Sequence, residues 1–242
     1  MFGNIAIVSE EKWEEFTSAQ RFINGRYSLF LMKIEHIEAK SNLAEADFDT
    51  SSLPVKVGVV TTVQYLADIQ SVVDFLVQKG RDAVLCGQVL GCDAGAAVAH
   101  AGSVDGFLYV GTGEFHPIGV ALQTGKPVFV LHPESMKVRK LDEADVEKIR
   151  KKKKGMLAKF HSASVVGVLM TTKKGQNAVQ GGMDRVAALE KQHGDKRFYH
   201  FLCDTLDFSE LENYPFIECW VNTMCPRMME DIKVLNIEDL ER

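Results

Sequence analysis

The chain has 242 residues and 26.9 kDa, room for one or two domains of ordinary size. Apolar residues make up 46% and charged residues 25%, with 19 Gly and 6 Pro, which excludes a disordered or collagen-like chain. A net charge of −5 argues against a nucleic-acid binder, and no apolar run approaches the ~20 residues that span a bilayer, so a cytoplasmic protein without a membrane span or a direct nucleic-acid partner is expected.

In chain order, Ile5 to Val8 reads as a strand, Trp13, Phe16, Ala19 and Ile23 recur at helical spacing, and residues 28–34 form a second strand. Val57-Gly-Val-Val-Thr-Thr62 is an apolar strand ending in a polar pair. An amphipathic helix follows through Leu66, Ile69, Val73, Leu76 and Val77 to Lys79-Gly80. Residues 107–110 form another strand before Gly111-Thr112. Beyond Leu131-His132-Pro133, Asp142 is a plausible N-cap for a charged helix carrying Val146, Ile149, Met156 and Phe160 inward. Lysines 151–154 fall mostly on its solvated side, as a surface helix or as a docking patch for an acidic or RNA-bearing partner. Between Lys137 and Lys159 there are ten Lys or Arg against four Asp or Glu, leaving the rest of the chain acidic.

The first strand and helix then recur. Val166-Gly-Val-Leu-Met-Thr-Thr172 repeats Val57 to Thr62 about 110 residues later and is followed by Val179, Val186 and Leu189, then His193-Gly194. Leu202-Cys-Asp204 parallels Leu90-Gly-Cys-Asp93, and Trp220 to Thr223 parallels Phe107 to Thr112. This predicts an α/β fold of two tandem similar domains, each a small parallel sheet flanked by helices, with a leader over 1–26 and repeats over 27–132 and 133–242. Right-handed crossovers bring the C-terminal strand ends to one edge of a sheet, where ligands gather. Thr61-Thr62, the 111–113 turn, Thr171-Thr172 and the stretch after Trp220 are therefore candidate site segments, or simply turns.

Common motifs are absent. Gly119 to Lys126 has five residues between its glycines and Pro127 where a phosphate loop needs Ser or Thr, residues 111–116 lack the third glycine of a dinucleotide turn, and there is no nucleophile elbow or His-Glu-x-x-His zinc helix. Five cysteines, Cys86, Cys92, Cys203, Cys219 and Cys225, argue against a disulfide framework. Two pairs are each separated by five residues, which is not zinc-knuckle spacing. Cys219 lies in an apolar run and reads as a small buried residue. Cys225 precedes Pro226-Arg227 at a strand end, and Cys92 precedes a small-residue helix start, so both read as structural thiols or as ligands drawn from two repeats.

Five ordered motifs resemble the diphthamide synthases: Gly58-Val-Val-Thr-Thr-Val-Gln64, Gly87-Gln-Val-Leu-Gly-Cys92, Gly111-Thr-Gly-Glu-Phe-His-Pro-Ile-Gly119, Gly167-Val-Leu-Met-Thr-Thr-Lys-Lys-Gly-Gln176 and Cys225-Pro-Arg227, with Leu235-Asn-Ile-Glu-Asp-Leu240 as a close. The resemblance implies a radical enzyme whose 4Fe-4S cluster cleaves S-adenosylmethionine and transfers its 3-amino-3-carboxypropyl group to a histidine of translation elongation factor 2. Family enzymes hold the cluster with three cysteines, one from each of three similar domains; Cys92 matches the second and Cys225 the third. Gln64, Gln88, Gly113, Glu114, His116, Gln176 and Arg227 would bind the cofactor or line its cleft, or else stabilise turns. Only residues 1–26 precede the part that resembles the second domain, and no cysteine precedes Cys86. A third ligand is then expected from Cys86, Cys203 or a partner chain, unless the cluster is absent. The alternatives are a noncatalytic partner subunit or scaffold and a cluster-free small-molecule binder. A homo-oligomer, or pairing with a complete homologue, is expected.

Overall fold

The structure, a computed structural model, describes residues 6–8, 43, 46–171, 179–203, 206–226 and 233–241. In chain order these form β1 (Ala6–Val8), β2 (Lys56–Thr61), α1 (Ile69–Gln78), β3 (Asp82–Gln88), α2 (Gly95–His100), β4 (Gly106–Val110), α3 (Phe115–Thr124), β5 (Val128–His132), β6 (Lys137–Lys140), α4 (Glu143–Ser162), β7 (Val165–Thr171), α5 (Val179–Gln192), β8 (Arg197–Cys203), β9 (Cys219–Asn222) and β10 (Leu235–Asn236). Short 3-10 turns follow β2, β8 and β10. The helix expected over 13–23 and the strand expected over 28–34 lie outside the described residues. The chain divides between Arg150 and Lys151 into two compact units.

The first unit is a sheet ordered β3-β2-β4-β5-β6, with the first four strands parallel. Side-chain alternation sends Val57, Val59, Leu108, Val110, Phe129 and Leu131 to one face, where α1 packs with Ile69, Val72, Val73 and Leu76. Val60, Phe107, Tyr109, Val128 and Val130 point to the other, which is covered by α2, α3 and the start of α4. Two apolar faces on one sheet explain why β2 and β4 read as continuous apolar runs. The unit reaches further along the chain than residue 132. β6 runs antiparallel to β5, and Leu141, Val146 and Ile149 pack into the same core. Its Lys-Val-Arg-Lys sequence hides it from an apolar pattern, and such charge is how an outer strand resists pairing with other chains. At the head of α4, Asp142 Oδ1 accepts from the Ala144 N–H at 2.8 Å, the capping expected of it.

The second unit repeats this order. Its sheet runs β1-β8-β7-β9-β10, so β8-β7-β9-β10 stands for β3-β2-β4-β5, all parallel. β1, from the segment read as a leader, adds antiparallel to β8 as an outer strand. Met156 and Phe160 of α4 with Met183, Val186 and Leu189 of α5 cover one face. Ile217, Met224 and Val234 with an aromatic group of Phe201, Tyr214 and Trp220 cover the other, the Phe201 and Trp220 rings meeting edge-on at 4.7 Å.

One device fixes the register of both repeats. Gly58 lies opposite Phe107 and Gly167 opposite Trp220, each glycine leaving room for the ring beside it. A Cβ on Gly58 would stand 2.7 Å from the Phe107 ring, and one on Gly167 would stand 2.5 Å from Trp220. Gly58→Ala and Gly167→Ala should each destabilise their unit by about 1–3 kcal/mol, because rings wedged in close-packed cores have nowhere to turn. Urea unfolding followed by circular dichroism reads the effect, and unchanged midpoints would refute this packing.

Candidate functional site

In the first unit the loops following the parallel strands β2, β3 and β4 share the C-terminal edge of the sheet. Thr61 ends β2 fully buried, its Oγ1 donating to the Val110 carbonyl at 2.7 Å, so it ties two strands together rather than facing a ligand. Gln64 follows, exposed, in the 3-10 turn Val63–Tyr65. Gln88 ends β3, also exposed. A bulge at Cys86 and Gly87 precedes it, with Gly87 at φ +111, a conformation side chains disfavour.

Cys92 sits at the tip of the next turn. The Leu90 N–H donates to the Asp93 carbonyl at 2.7 Å and the Asp93 N–H to the Leu90 carbonyl at 3.1 Å, so Gly91 and Cys92 form a loop closed from both sides. The thiol is exposed. Asp93 Oδ1 accepts from the Gly95 N–H at 2.8 Å, tying the turn to α2. The turn also rests directly on α3: Gly91 leaves room for the Phe115 ring, and a Cβ on Gly119 would meet the Gly91 carbonyl oxygen at 2.5 Å. Two facing glycines bring helix and loop backbones into contact beneath the cysteine.

The third loop carries Gly111 and Gly113, the latter at φ +79, ahead of Glu114 and His116 at the head of α3. Tyr109 stands underneath, its hydroxyl 3.5 Å from the Thr112 carbonyl and its ionisation pushed up to about 12, mainly by burial. Glu114 is paired with Arg139 of β6, a partner the sequence did not suggest. The half-buried His116 ring lies 6.1 Å from Tyr109 and 5.4 Å from Phe115.

In the second unit Cys225 follows β9, exposed, on a loop held by two buried amides. Asn222 Nδ2 donates to the Cys225 carbonyl at 3.1 Å and to Asn236 Oδ1 at 2.8 Å, and Asn222 Oδ1 accepts from the Met224 N–H at 2.9 Å. Asn236 Nδ2 donates to the Pro226 carbonyl at 3.1 Å, and Thr223 Oγ1 to the Leu169 carbonyl at 2.9 Å. Asn222 lies in the candidate segment after Trp220 and Asn236 in the closing motif, but their pairing was not expected; their polarity inside apolar runs was the available signal. Gln176 and Arg227 lie outside the described residues, as does Thr172.

The five cysteines separate by environment. Cys219 is fully buried and Cys86 half-buried, and burial pushes each thiol up to about 11. Cys203 is buried, with Sγ 3.4 Å from the Met170 carbonyl. Of the five, only Cys92 and Cys225 are exposed. They do not occupy equivalent places, since Cys92 follows the second strand of its repeat and Cys225 the third; the counterpart of Cys225 in the first unit is Thr112. Among the described residues no three His, Cys, Asp or Glu side chains gather as a metal site requires. An exposed thiol on a braced loop suits an iron of a cluster, so the donor chemistry of each fits a ligand of a 4Fe-4S group. Among the described residues no helix is long and apolar enough to cross a membrane.

Comparison with known proteins agrees with this arrangement. Residues 24–233 match the family described as "Putative diphthamide synthesis protein". The chain is 28% identical over 213 residues to the 2-(3-amino-3-carboxypropyl)histidine synthase of Pyrococcus horikoshii, covering 84% of this chain and 60% of that protein. It is 28% identical over 182 residues to the synthase of the same name from Methanocaldococcus jannaschii, covering 74% and 47%. The chain thus spans less than two thirds of the length of these relatives. The crystal structure of Dph2 from Pyrococcus horikoshii with a 4Fe-4S cluster superposes with a TM-score of 0.68 at 27% identity, over 84% of this chain and 62% of that one. With two parallel-dominated sheets, exposed cysteines at their edges and a match over residues 24–233, the chain belongs to the diphthamide synthesis protein family.

Proposed function

We propose that this chain takes part in transferring the 3-amino-3-carboxypropyl group of S-adenosylmethionine to a histidine of translation elongation factor 2, with Cys92 and Cys225 as ligands of a 4Fe-4S cluster. The observation that carries this reading is the sorting of the cysteines: the two that fall in family motifs are exposed on braced loops, and the other three are wholly or partly buried. Relatives named for synthesis of the modified histidine, and a solved neighbour holding a 4Fe-4S cluster, support it. When bound, the cluster supplies the electron that breaks the adenosylmethionine bond to the transferred group.

The chain's own groups position and shield the cofactor. Gln64, Gln88 and the loop at Gly113, exposed at the first sheet's edge, are the contacts for its polar end, with Gln176 and Arg227 in the same role from the second repeat. Glu114, engaged by Arg139, and His116, set between two aromatic rings, shape the loop instead. A third cysteine ligand comes from a second copy of the chain, and the assembly works in the cytoplasm.

A second reading is a noncatalytic partner subunit or scaffold without a complete cluster, favoured by the count of two exposed thiols where the family uses three. Anaerobic incubation of the reconstituted chain with adenosylmethionine and dithionite separates the two. Methylthioadenosine or aminobutyrate should form with the wild type and not with Cys92→Ala. A cluster-loaded chain that yields neither product is a carrier or scaffold, not a transferase.

A further inference from the structure

The two repeats build one corner in two ways. Registering Gly58 on Gly167 places Tyr109 at the position of Asn222, and Val130 at that of Asn236. In the first unit Tyr109 reaches the carbonyl three residues on, at Thr112; in the second Asn222 reaches the carbonyl three residues on, at Cys225. The first repeat therefore closes this corner with an aromatic side chain and a valine. The second spends two primary amides on it, with Asn222 at 0% and Asn236 at 4% exposure. Buried amides cost stability unless hydrogen-bonded, and one tyrosine with a valine fills the same place in the sister repeat. Besides joining each other, the two amides bond to residues 224–226, on both sides of the thiol and at the cysteine itself.

We propose that Asn222 and Asn236 are positioning residues for Cys225: their paired amides clamp the backbone of residues 224–226 and so fix where the thiol points and how readily it reacts. The inference rests on the reading of Cys225 as a cluster ligand for its purpose, but the clamp itself is a property of the iron-free chain. A clamp makes a prediction that a general packing role does not. Replacing both amides by valine removes the amide–amide bond from both sides and frees the backbone of residues 224–226, whereas replacing Asn222 alone also leaves Asn236 Oδ1 without the amide that donates to it.

The experiment compares wild type, Asn222→Val, and the double variant Asn222→Val with Asn236→Val. Each iron-free protein is alkylated with iodoacetamide, and Cys225 and Cys92 are followed separately by peptide mass spectrometry. Thermal melting and the electron paramagnetic resonance spectrum of the reduced, reconstituted cluster are recorded in parallel. The double variant should melt no lower than Asn222→Val yet alkylate Cys225 about fivefold faster than wild type, with Cys92 unchanged and the resonance shifted or lost. A well-folded double variant whose Cys225 rate equals that of wild type overturns the proposal. If the double variant fails to fold, hydrogen exchange of wild type decides: the Met224 amide lies past the strand end, and its bond to Asn222 Oδ1 should protect it at least about tenfold, while exchange at the free-peptide rate overturns the clamp. A wild type that takes up no cluster refutes the functional reading and leaves the alkylation result to judge the clamp.

Discussion

Gly119→Ala should be among the most damaging single-methyl changes in the chain. The new Cβ would meet the Gly91 carbonyl oxygen at 2.5 Å and its Cα at 2.9 Å, both backbone atoms that no rotamer change can move aside. Alanine is the better helix former by about 1 kcal/mol, and that gain opposes the clash without matching it. The net loss is expected at about 1–3 kcal/mol, several degrees of melting temperature for a chain this long. The effect reaches the site because the Gly91 loop carries Cys92. Helix α3 and the turn must separate, so cluster uptake should fall along with stability, while Cys225 alkylation stays as in wild type. A melting temperature equal to wild type would show that the loop does not rest on α3 as described. Gly155→Ala is the matching control: its Cβ meets nothing within 4 Å in the exposed middle of α4, and the substitution should stabilise the helix by about 1 kcal/mol.

The architecture was legible because the repeats carry their apolar runs in the same order. Val57 to Thr61 and Val166 to Thr171 lie between neighbouring strands in their sheets and are buried on both faces, so sequence alone marks them strongly. The outer strands were harder. β6 is nearly all charge, and only its pairing with β5 makes it a strand, which is why the first unit extends past residue 132. β1 was foreseen as a strand, but nothing local says that it adds to β8, since its partner lies almost two hundred residues away. At the site, the motif cysteines were legible and their bracing was not. Asn222 looked like the end of an apolar run, and its role depends on Asn236 arriving from the next strand, a contact that no spacing rule encodes. The pairing of Glu114 with Arg139 was not legible either, because Arg139 sits in the charged strand β6.

Replacing Cys92 or Cys225 by alanine should abolish cluster binding while leaving the fold intact. Both thiols are exposed, so each substitution should change stability by no more than about 0.5 kcal/mol. Removing either takes away an iron ligand, and cluster content should fall to background. Cys219→Ala is the opposite case. It empties a fully buried place in the second core, so it should cost about 1–2 kcal/mol and leave iron uptake unchanged. The decisive measurement is iron and sulfide content, with the visible spectrum, after anaerobic reconstitution of wild type, Cys92→Ala and Cys225→Ala. Iron and sulfide in equal amounts with a broad absorption band in wild type, and neither in the two variants, is the expected result. A wild-type chain that binds no iron, or alanine variants that bind as much as wild type, would contradict the assignment of these two cysteines to a cluster.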